Sequence, residues 1–265
     1  MEVKLACNIY VDFELVRAVF EPLGITNLQY VNSHATSYAT GHFEGKQAGV
    51  KFGFPLSSFY EEARTLSKLS HESIPRCYTH GKLAIPNNEI NYQAWTEKEK
   101  EKDRKQNVTN SKEISYLVLQ HCPGTELDKN LKFETKQDKE KALDLFSKII
   151  DVMTYLNSKN IVHGELYYEH ILVNKNDIYL IDFSEHDEVL DEDYLMQDLP
   201  SRFGDLLQET LESDNLRTQR RSGPFWKLFA FAKEMTSTVD HTTRFENPAG
   251  YLKENLEKIL LSAEQ

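Results

Sequence analysis

Two histidines and a glutamate that could carry chemistry lie within the eight-residue segment HGELYYEH, residues 163–170. A glutamate can act as a general base, and a histidine can transfer a proton or bind a transition metal. Zinc hydrolases place two histidines one helical turn apart in the pattern HExxH, and this segment lacks that spacing. A zinc hydrolase therefore has little support, and Glu165 and His170 remain as candidates for other chemistry.

Hydrophobic spacing predicts the elements that must position these residues. Apolar residues three and four positions apart predict helices at residues 12–20, 57–69, 140–157, 203–211, 227–235 and 251–261. Period-two stretches between Leu28 and Phe54 predict strands in a meander. Directly after HGELYYEH, the apolar runs ILVN and IYLID flank the polar turn KND and predict a β-hairpin. The chain is thus expected to have a strand-rich first part and a helical second part.

Composition limits the classes of protein and of partner. The 265 residues are 40% hydrophobic and 28% charged, which suits one large domain or two lobes with a sizeable core. The net charge of -11 argues against a non-specific nucleic-acid binder and against binding to anionic membranes. No apolar run approaches the ~18 residues of a transmembrane helix, and the first residues do not have the pattern of a signal peptide. We therefore expect a cytoplasmic protein, or one in the cytosol or nucleus of a host cell.

Cysteine spacing gives no sign of a metal site or of a disulfide framework. The three cysteines, Cys7, Cys77 and Cys122, are far apart and odd in number, and no CxxC pair occurs. Reduced thiols in a cytosol-like compartment are the simplest interpretation.

A charged segment interrupts the first part of the chain. Residues 93–113, QAWTEKEKEKDRKQNVTNSKE, carry charges of both signs and have little to bury. This composition predicts a solvated insertion rather than a packed element.

The order of these elements, taken with several motifs, resembles the protein-kinase fold from about Leu28 to Leu211. HGELYYEH is similar to the kinase catalytic loop, which reads His-Arg-Asp-Leu, three residues, then Asn. IDFS, residues 181–184, is similar to the metal-binding Asp-Phe-Gly. The resemblance implies an α+β, bilobal protein-kinase-like fold. Residues 1–120 would form a small β-rich N-lobe with an N-terminal helical extension and the insertion, and residues 121–265 a mainly helical C-lobe with the catalytic-loop hairpin.

The resemblance also implies a site for ATP with Mg or Mn. Lys51 would hold the phosphates, because a lysine with this task must be aimed and the carboxylate of Glu62 on the following helix could aim it. An ordinary surface ion pair is the alternative. Asp182 would bind the metal, and it would converge with Lys51 and Glu62 on one cleft between the lobes. The adenine would lie against the strand and hinge, where Leu119 would be the gatekeeper and the backbone from Gln120 to Cys122 would face the base.

Two departures from the kinase pattern fall on the catalytic loop. Glu165 takes the position of the catalytic aspartate, and its extra methylene moves the carboxylate by about 1 Å, an error that can cost ~100-fold in rate. His170 takes the position of the metal-binding asparagine, although Mg prefers oxygen ligands. His170 could instead donate a proton to phosphate or bond to Glu165.

Other departures fall outside that loop. Ser33, Ala35 and Tyr38 stand where kinases place the glycines that approach phosphates. Asp205 resembles a buried aspartate that ties the catalytic loop to the helical core, and a surface acid is nearly as good an interpretation.

Two functions remain open. A pseudokinase would act through a protein partner, with nucleotide binding optional, and would account for the changes at positions 165 and 170 and in the phosphate loop. An active, divergent phosphotransferase would account for the presence of Lys51, Glu62 and Asp182 together. It would use Glu165 as the base, with His170 and Asp182 as its other catalytic residues, on Ser/Thr hydroxyls or a small molecule.

Overall fold

The structure, a computed structural model, describes residues 1–6, 9–31, 37–53, 57–86, 89–92, 111–183, 186–188, 192–217, 223–237 and 245–261. The chain divides into two compact units. Unit 1 comprises Met1–Ser70 and Pro75–Cys122, and unit 2 comprises His71–Ile74 and Pro123–Gln265. Unit 1 is rich in strands and unit 2 is mainly helical, so the predicted α+β class is confirmed.

Unit 1 contains eight strands and two helices among the described residues. In chain order they are β1 (Glu2–Ala6), β2 (Ile9–Asp12), α1 (Phe13–Phe20), β3 (Ile25–Val31), β4 (Ser37–Phe43), β5 (Lys46–Gly53), α2 (Ser57–Ser67), β6 (Cys77–Pro86), β7 (Ile90–Tyr92) and β8 (Ser111–Gln120). Five strands form an antiparallel sheet in the order β3-β4-β5-β8-β6, and a smaller sheet has the order β1-β2-β7.

The hairpin of β4 and β5 fixes the register at the centre of the large sheet. Its two turn residues, Glu44 and Gly45, have φ values of 51° and 76°, as the tight two-residue turns of β-hairpins require. This turn sets Tyr38 opposite Lys51, so that both side chains point to the same face of the sheet.

The other face of the sheet is covered by the first elements of the chain. Val50 and Phe52 of β5 are fully buried against Phe13, Val16 and Phe20 of α1. Residues alternate between the two faces of a strand, so Gly49 and Lys51 lie on the opposite face. The helix predicted at residues 12–20 is thus present as α1, and its N-terminus is capped by Asp12. The extension is more than helical, because β1 and β2 precede α1.

The last three residues of the insertion predicted at residues 93–113 belong to a strand instead. Ser111, Lys112 and Glu113 belong to β8, where they pair with Pro86, Ile85 and Ala84 of β6. Residues 93–110 lie outside the described part of the chain.

Unit 2 contains two long helices among its described residues. Its elements are β9 (Thr125–Glu126), α3 (Leu127–Asn130), α4 (Lys136–Asn157), β10 (Ile161–His163), β11 (Ile171–Asn174), β12 (Asp177–Leu180), β13 (His186–Glu188), α5 (Glu192–Glu212), α6 (Asp214–Arg217), α7 (Gly223–Ser237) and α8 (Pro248–Leu261). A capping box between Thr135 and Asp138 starts α4, and its apolar face is buried from Ala142 to Leu156. No helix among the described residues is both long enough and apolar enough to cross a membrane.

The predicted hairpin behind HGELYYEH is present as β11 and β12. The strands pair from Ile171 with Leu180 to Asn174 with Asp177, and Lys175 in the turn has a φ of 57°. On its other side β11 pairs with β9. Gly124, just before β9, lies so close to β11 that a Cβ atom there would be 2.5 Å from the carbonyl oxygen of Val173. Glycine at position 124 therefore permits a close approach of the two backbones.

Candidate functional site

Lys51 of β5 and Glu62 of α2 form a buried ion pair in unit 1. Lys51 Nζ donates to both carboxylate oxygens of Glu62, at 2.8 Å and 3.0 Å. The two side chains are only 11% and 1% exposed. The alternative of an ordinary surface pair is therefore wrong, because a surface pair is solvated on both partners.

The surroundings of this pair form what we call the lysine face, the side of the large sheet that carries Tyr38, Gly49, Lys51 and Leu119. The strand register sets Gly49 opposite Leu119, which is 6% exposed. Gln120 ends β8, and its N–H donates to the carbonyl of Arg76 at 2.8 Å, so that N–H is engaged within unit 1.

Two cysteine thiols lie close to the lysine face. Burial raises the pKa of Cys122 to about 12. The pKa of Cys77 is raised to about 11 by burial and, to a lesser extent, by the negative charge of Glu62. Both thiols are therefore protonated and poorly nucleophilic at neutral pH.

The segment from His163 to His170, which we call the catalytic loop, is held in unit 2 by hydrogen bonds to its own backbone. The main-chain oxygen of Glu165 accepts from the N–H of Tyr167 at 3.0 Å and from Nδ1 of His170 at 2.7 Å. A carbonyl oxygen only accepts, so Nδ1 of His170 carries a proton, and in the neutral ring Nε2 carries the lone pair. The imidazole is thus bound to the main chain of residue 165, whereas the Glu165 side chain is half-buried.

Backbone contacts bring the segment before Asp182 onto this loop. The N–H of Ile181 donates to the carbonyl of His170 at 2.9 Å, and the carbonyl of Ile181 lies 2.9 Å from Nε2 of His163. Asp182 follows with a φ of 64°, a left-handed conformation that is uncommon outside glycine. Such conformations persist where the surroundings enforce them, and they cluster at functional sites.

The comparisons with known proteins agree with this arrangement. A family described as "Protein tyrosine and serine/threonine kinase" matches residues 104–203, which include the catalytic loop and Asp182. Aurora kinase C from Mus musculus is 30% identical over 69 residues, a stretch that is 26% of this chain and 25% of Aurora kinase C. These matches support a protein kinase-like fold for the chain. The chain spans about a quarter of the length of Aurora kinase C, so the likeness concerns that part alone.

Of the two side chains predicted to bind a divalent metal ion, Asp182 and His170, only Asp182 offers a suitable ligand. The carboxylate of Asp182 is a suitable ligand for Mg, whereas the imidazole of His170 offers a nitrogen that Mg binds poorly. Among the described residues, no group of three or more histidine, cysteine, aspartate or glutamate side chains is arranged to hold a metal ion. The role predicted for His170 as a magnesium ligand is therefore chemically weak.

Asp205 differs from its kinase-like interpretation. It lies in α5 and is exposed, so the alternative of a surface acid is the correct one. Ser33, Ala35 and Ser184, which completed the phosphate-loop and IDFS motifs, lie outside the described residues.

One neighbour of the catalytic loop carries no signal in the sequence. Glu209 of α5 has its pKa raised by burial and by the negative charge of Glu169, while His170 opposes the shift. Glu209 is far from the loop along the chain, and no motif pointed to it. Only the packing of α5 against the loop brings it near.

Proposed function

We propose that this kinase-like protein is a pseudokinase that acts by binding a protein partner, with ATP as an optional ligand. The observation that supports this most is the state of His170. Its Nδ1 is bound to the Glu165 carbonyl, and its remaining nitrogen is a poor ligand for the hard cation that phosphoryl transfer requires. Without a second metal contact, the charge that develops on the transferred phosphoryl group is poorly neutralised.

The position of the catalytic base adds a second argument. A base must reach the proton of the attacking hydroxyl within hydrogen-bond distance. Glu165 retains the charge of an aspartate, but its longer side chain shifts the carboxylate by about 1 Å when the backbone stays in place. The backbone of residue 165 is fixed by two hydrogen bonds, so it has little freedom to retreat.

An active, divergent phosphotransferase is the second candidate, and the Lys51–Glu62 pair favours it. Lys51 Nζ is bound to both carboxylate oxygens of Glu62, and a lysine that holds phosphates requires such a partner to aim it. Glu165 would then be the base and Asp182 the metal ligand. The acceptor would be a Ser/Thr hydroxyl or a small molecule.

Thermal-shift titration with ATP, with and without Mg or Mn, tests the nucleotide part of the proposal. A shift that needs no metal, or depends on it only weakly, agrees with a nucleotide-binding pseudokinase. The shift should be lost in Lys51→Ala and retained in the matched variant Lys82→Ala. Lys82 pairs with Glu113 in the same sheet but is exposed, so its loss should not disturb nucleotide binding.

Turnover of radiolabelled ATP decides between the two candidates. We expect no transfer from the wild-type protein to itself or to model acceptors. Transfer that is abolished by both Lys51→Ala and Asp182→Ala, with folding confirmed by circular dichroism, would contradict the pseudokinase proposal. The double variant Glu165→Asp/His170→Asn restores both kinase-like side chains. Phosphoryl transfer that appears only in that variant would identify these two departures as the reason why the wild-type protein is inactive.

A further inference from the structure

Tyr38 stands at the third position where kinases place a glycine in the phosphate loop, and its side chain has a specific neighbour there. Its ring lies on the lysine face, directly against Gly49. A Cβ atom built on Gly49 would lie 2.9 Å from both Cε2 and Cζ of Tyr38, closer than non-bonded carbon atoms approach. Glycine at position 49 therefore leaves room for the Tyr38 ring.

The phenol is enclosed by the residues that would receive a nucleotide. Tyr38 is opposite Lys51 in the strand register and leans toward Gly49, whose own partner is the gatekeeper position Leu119. Burial raises the pKa of Tyr38 to about 12, with a further contribution from Cys122 at the hinge and an opposing one from Lys51. The ring thus lies half-buried between the hinge end and the lysine end of this face, and it is neutral at physiological pH.

We propose that the Tyr38 side chain is an internal occupant of the nucleotide face, so that the adenine base and ribose can bind only after the ring rotates away from Gly49. This inference rests on the proposed function in one respect, namely that the lysine face is where nucleotide would bind. Tyr38 then accounts for an affinity lower than Lys51 and Glu62 alone would give. The apparent dissociation constant rises in proportion as the binding-competent fraction falls.

An opposite role for Tyr38 is physically reasonable and gives the experiment its contrary outcome. An aromatic ring beside a base can serve as a stacking platform, and its removal would then weaken binding. The occupant and the platform predict changes of opposite sign in nucleotide affinity. One truncation therefore separates them.

The test measures binding of a fluorescent N-methylanthraniloyl ATP to the full chain. Tyr38→Ala should bind at least about tenfold more tightly than the wild type, which corresponds to an open conformer populated at roughly 10% or less. Tyr38→Phe retains the ring and should bind like the wild type. Tyr78→Ala is the matched control, because Tyr78 packs with the core on the opposite side of the sheet and stacks on Phe43. Unchanged or weaker binding by Tyr38→Ala would overturn the inference.

A double-mutant cycle tests the geometry without any nucleotide. Gly49→Ala places a methyl group on the Tyr38 ring and should lower the melting temperature, because a packed site resists added volume. The double variant Tyr38→Ala/Gly49→Ala removes the overlap, so the added methyl group should then cost much less stability. Additive effects of the two changes would show that the ring does not rest on Gly49 and would overturn the inference.

The two proposals fail in different ways. Turnover of ATP by the wild-type protein would contradict the pseudokinase proposal. It would not affect the Tyr38 inference, since the nucleotide face of an active enzyme can also be occupied by one of its own side chains. Failure of Tyr38→Ala to gain affinity would sink the inference and leave the pseudokinase proposal unaffected.

Discussion

The lysine face of unit 1 and the catalytic loop of unit 2 are held in different ways. Lys51 and Glu62 depend on each other's side chains, and both are buried. At position 165 the catalytic loop is held through the main-chain oxygen, which any residue there would supply. A buried ion pair cannot lose one partner without leaving an isolated charge, whereas a loop held by its backbone tolerates a changed side chain. A single substitution at Lys51 or Glu62 is therefore costly whether or not the chain is an enzyme, so the presence of the pair by itself is weak support for catalysis.

The largest effect that follows from this difference is on Lys51. Lys51→Ala leaves the Glu62 carboxylate buried without its cation, and we expect a loss of roughly 3–5 kcal/mol in the free energy of unfolding. Urea denaturation followed by circular dichroism measures it. The variant Lys51→Met/Glu62→Leu removes both charges and should recover most of the loss. If Lys51→Ala lowered the free energy of unfolding by less than about 1 kcal/mol, the pair would be as weak as a solvated surface ion pair. The lysine face and the catalytic loop would then not differ in the way described.

A smaller effect is expected in the catalytic loop. His170→Ala removes the hydrogen bond to the Glu165 carbonyl and should lower the free energy of unfolding by about 1 kcal/mol. His170→Asn retains a side-chain donor and should lose less. Equal losses from the alanine and asparagine variants would mean that the imidazole acts through packing, against Tyr167 or His163, rather than through its Nδ1–H.

The exposed pair in the same sheet should respond least among the substitutions. Lys82 and Glu113 are 3.2 Å apart with side chains 59% and 62% exposed. Lys82→Ala should therefore change the free energy of unfolding by about 0.2–1 kcal/mol, and 0.5 M NaCl should reduce that change. A change as large as that of Lys51→Ala would contradict burial as the reason for the difference between the two pairs.

A pH effect on the lysine face should be absent near neutrality and appear only in alkaline buffer. The pKa of Cys122 is raised by burial from its ordinary value of 9.0 to about 12 in the folded chain, so above pH 9 the unfolded chain loses a proton that the folded chain keeps. Stability therefore declines as pH rises from about 9 toward 12. Cys122→Ala should make this decline in melting temperature shallower between pH 8.5 and 10.5. An unchanged slope would mean that the thiol titrates normally.

Local patterns made much of the fold predictable. The helices α1 and α4 and the hairpin of β11 and β12 were found because their apolar periodicity or turn residues lie within one short window. The strands β1 and β2 were missed because they are short, and β2 also pairs with β7, a partner far along the chain.

The site was predictable to the extent that spacing determines it. Lys51 and Glu62 meet because strand and helix bring residues eleven positions apart into contact. The packing of Tyr38 on Gly49 depends on the register of two strands, and the neighbourhood of Glu209 depends on how α5 packs. Asp205 was ambiguous because one acid on an amphipathic helix carries no sign of which side is buried.

The layer that α1 places over the large sheet has a consequence for biosynthesis. The ribosome makes the apolar residues of α1 before those of β5. Phe13, Val16 and Phe20 are therefore available to pack on Val50 and Phe52 as soon as that apolar strand is synthesised. A nascent chain lacking its first twenty-four residues would present that apolar surface to chaperones and to other copies of itself. Shortened versions that begin at Ile25 should consequently accumulate in inclusion bodies, whatever their ability to bind nucleotide.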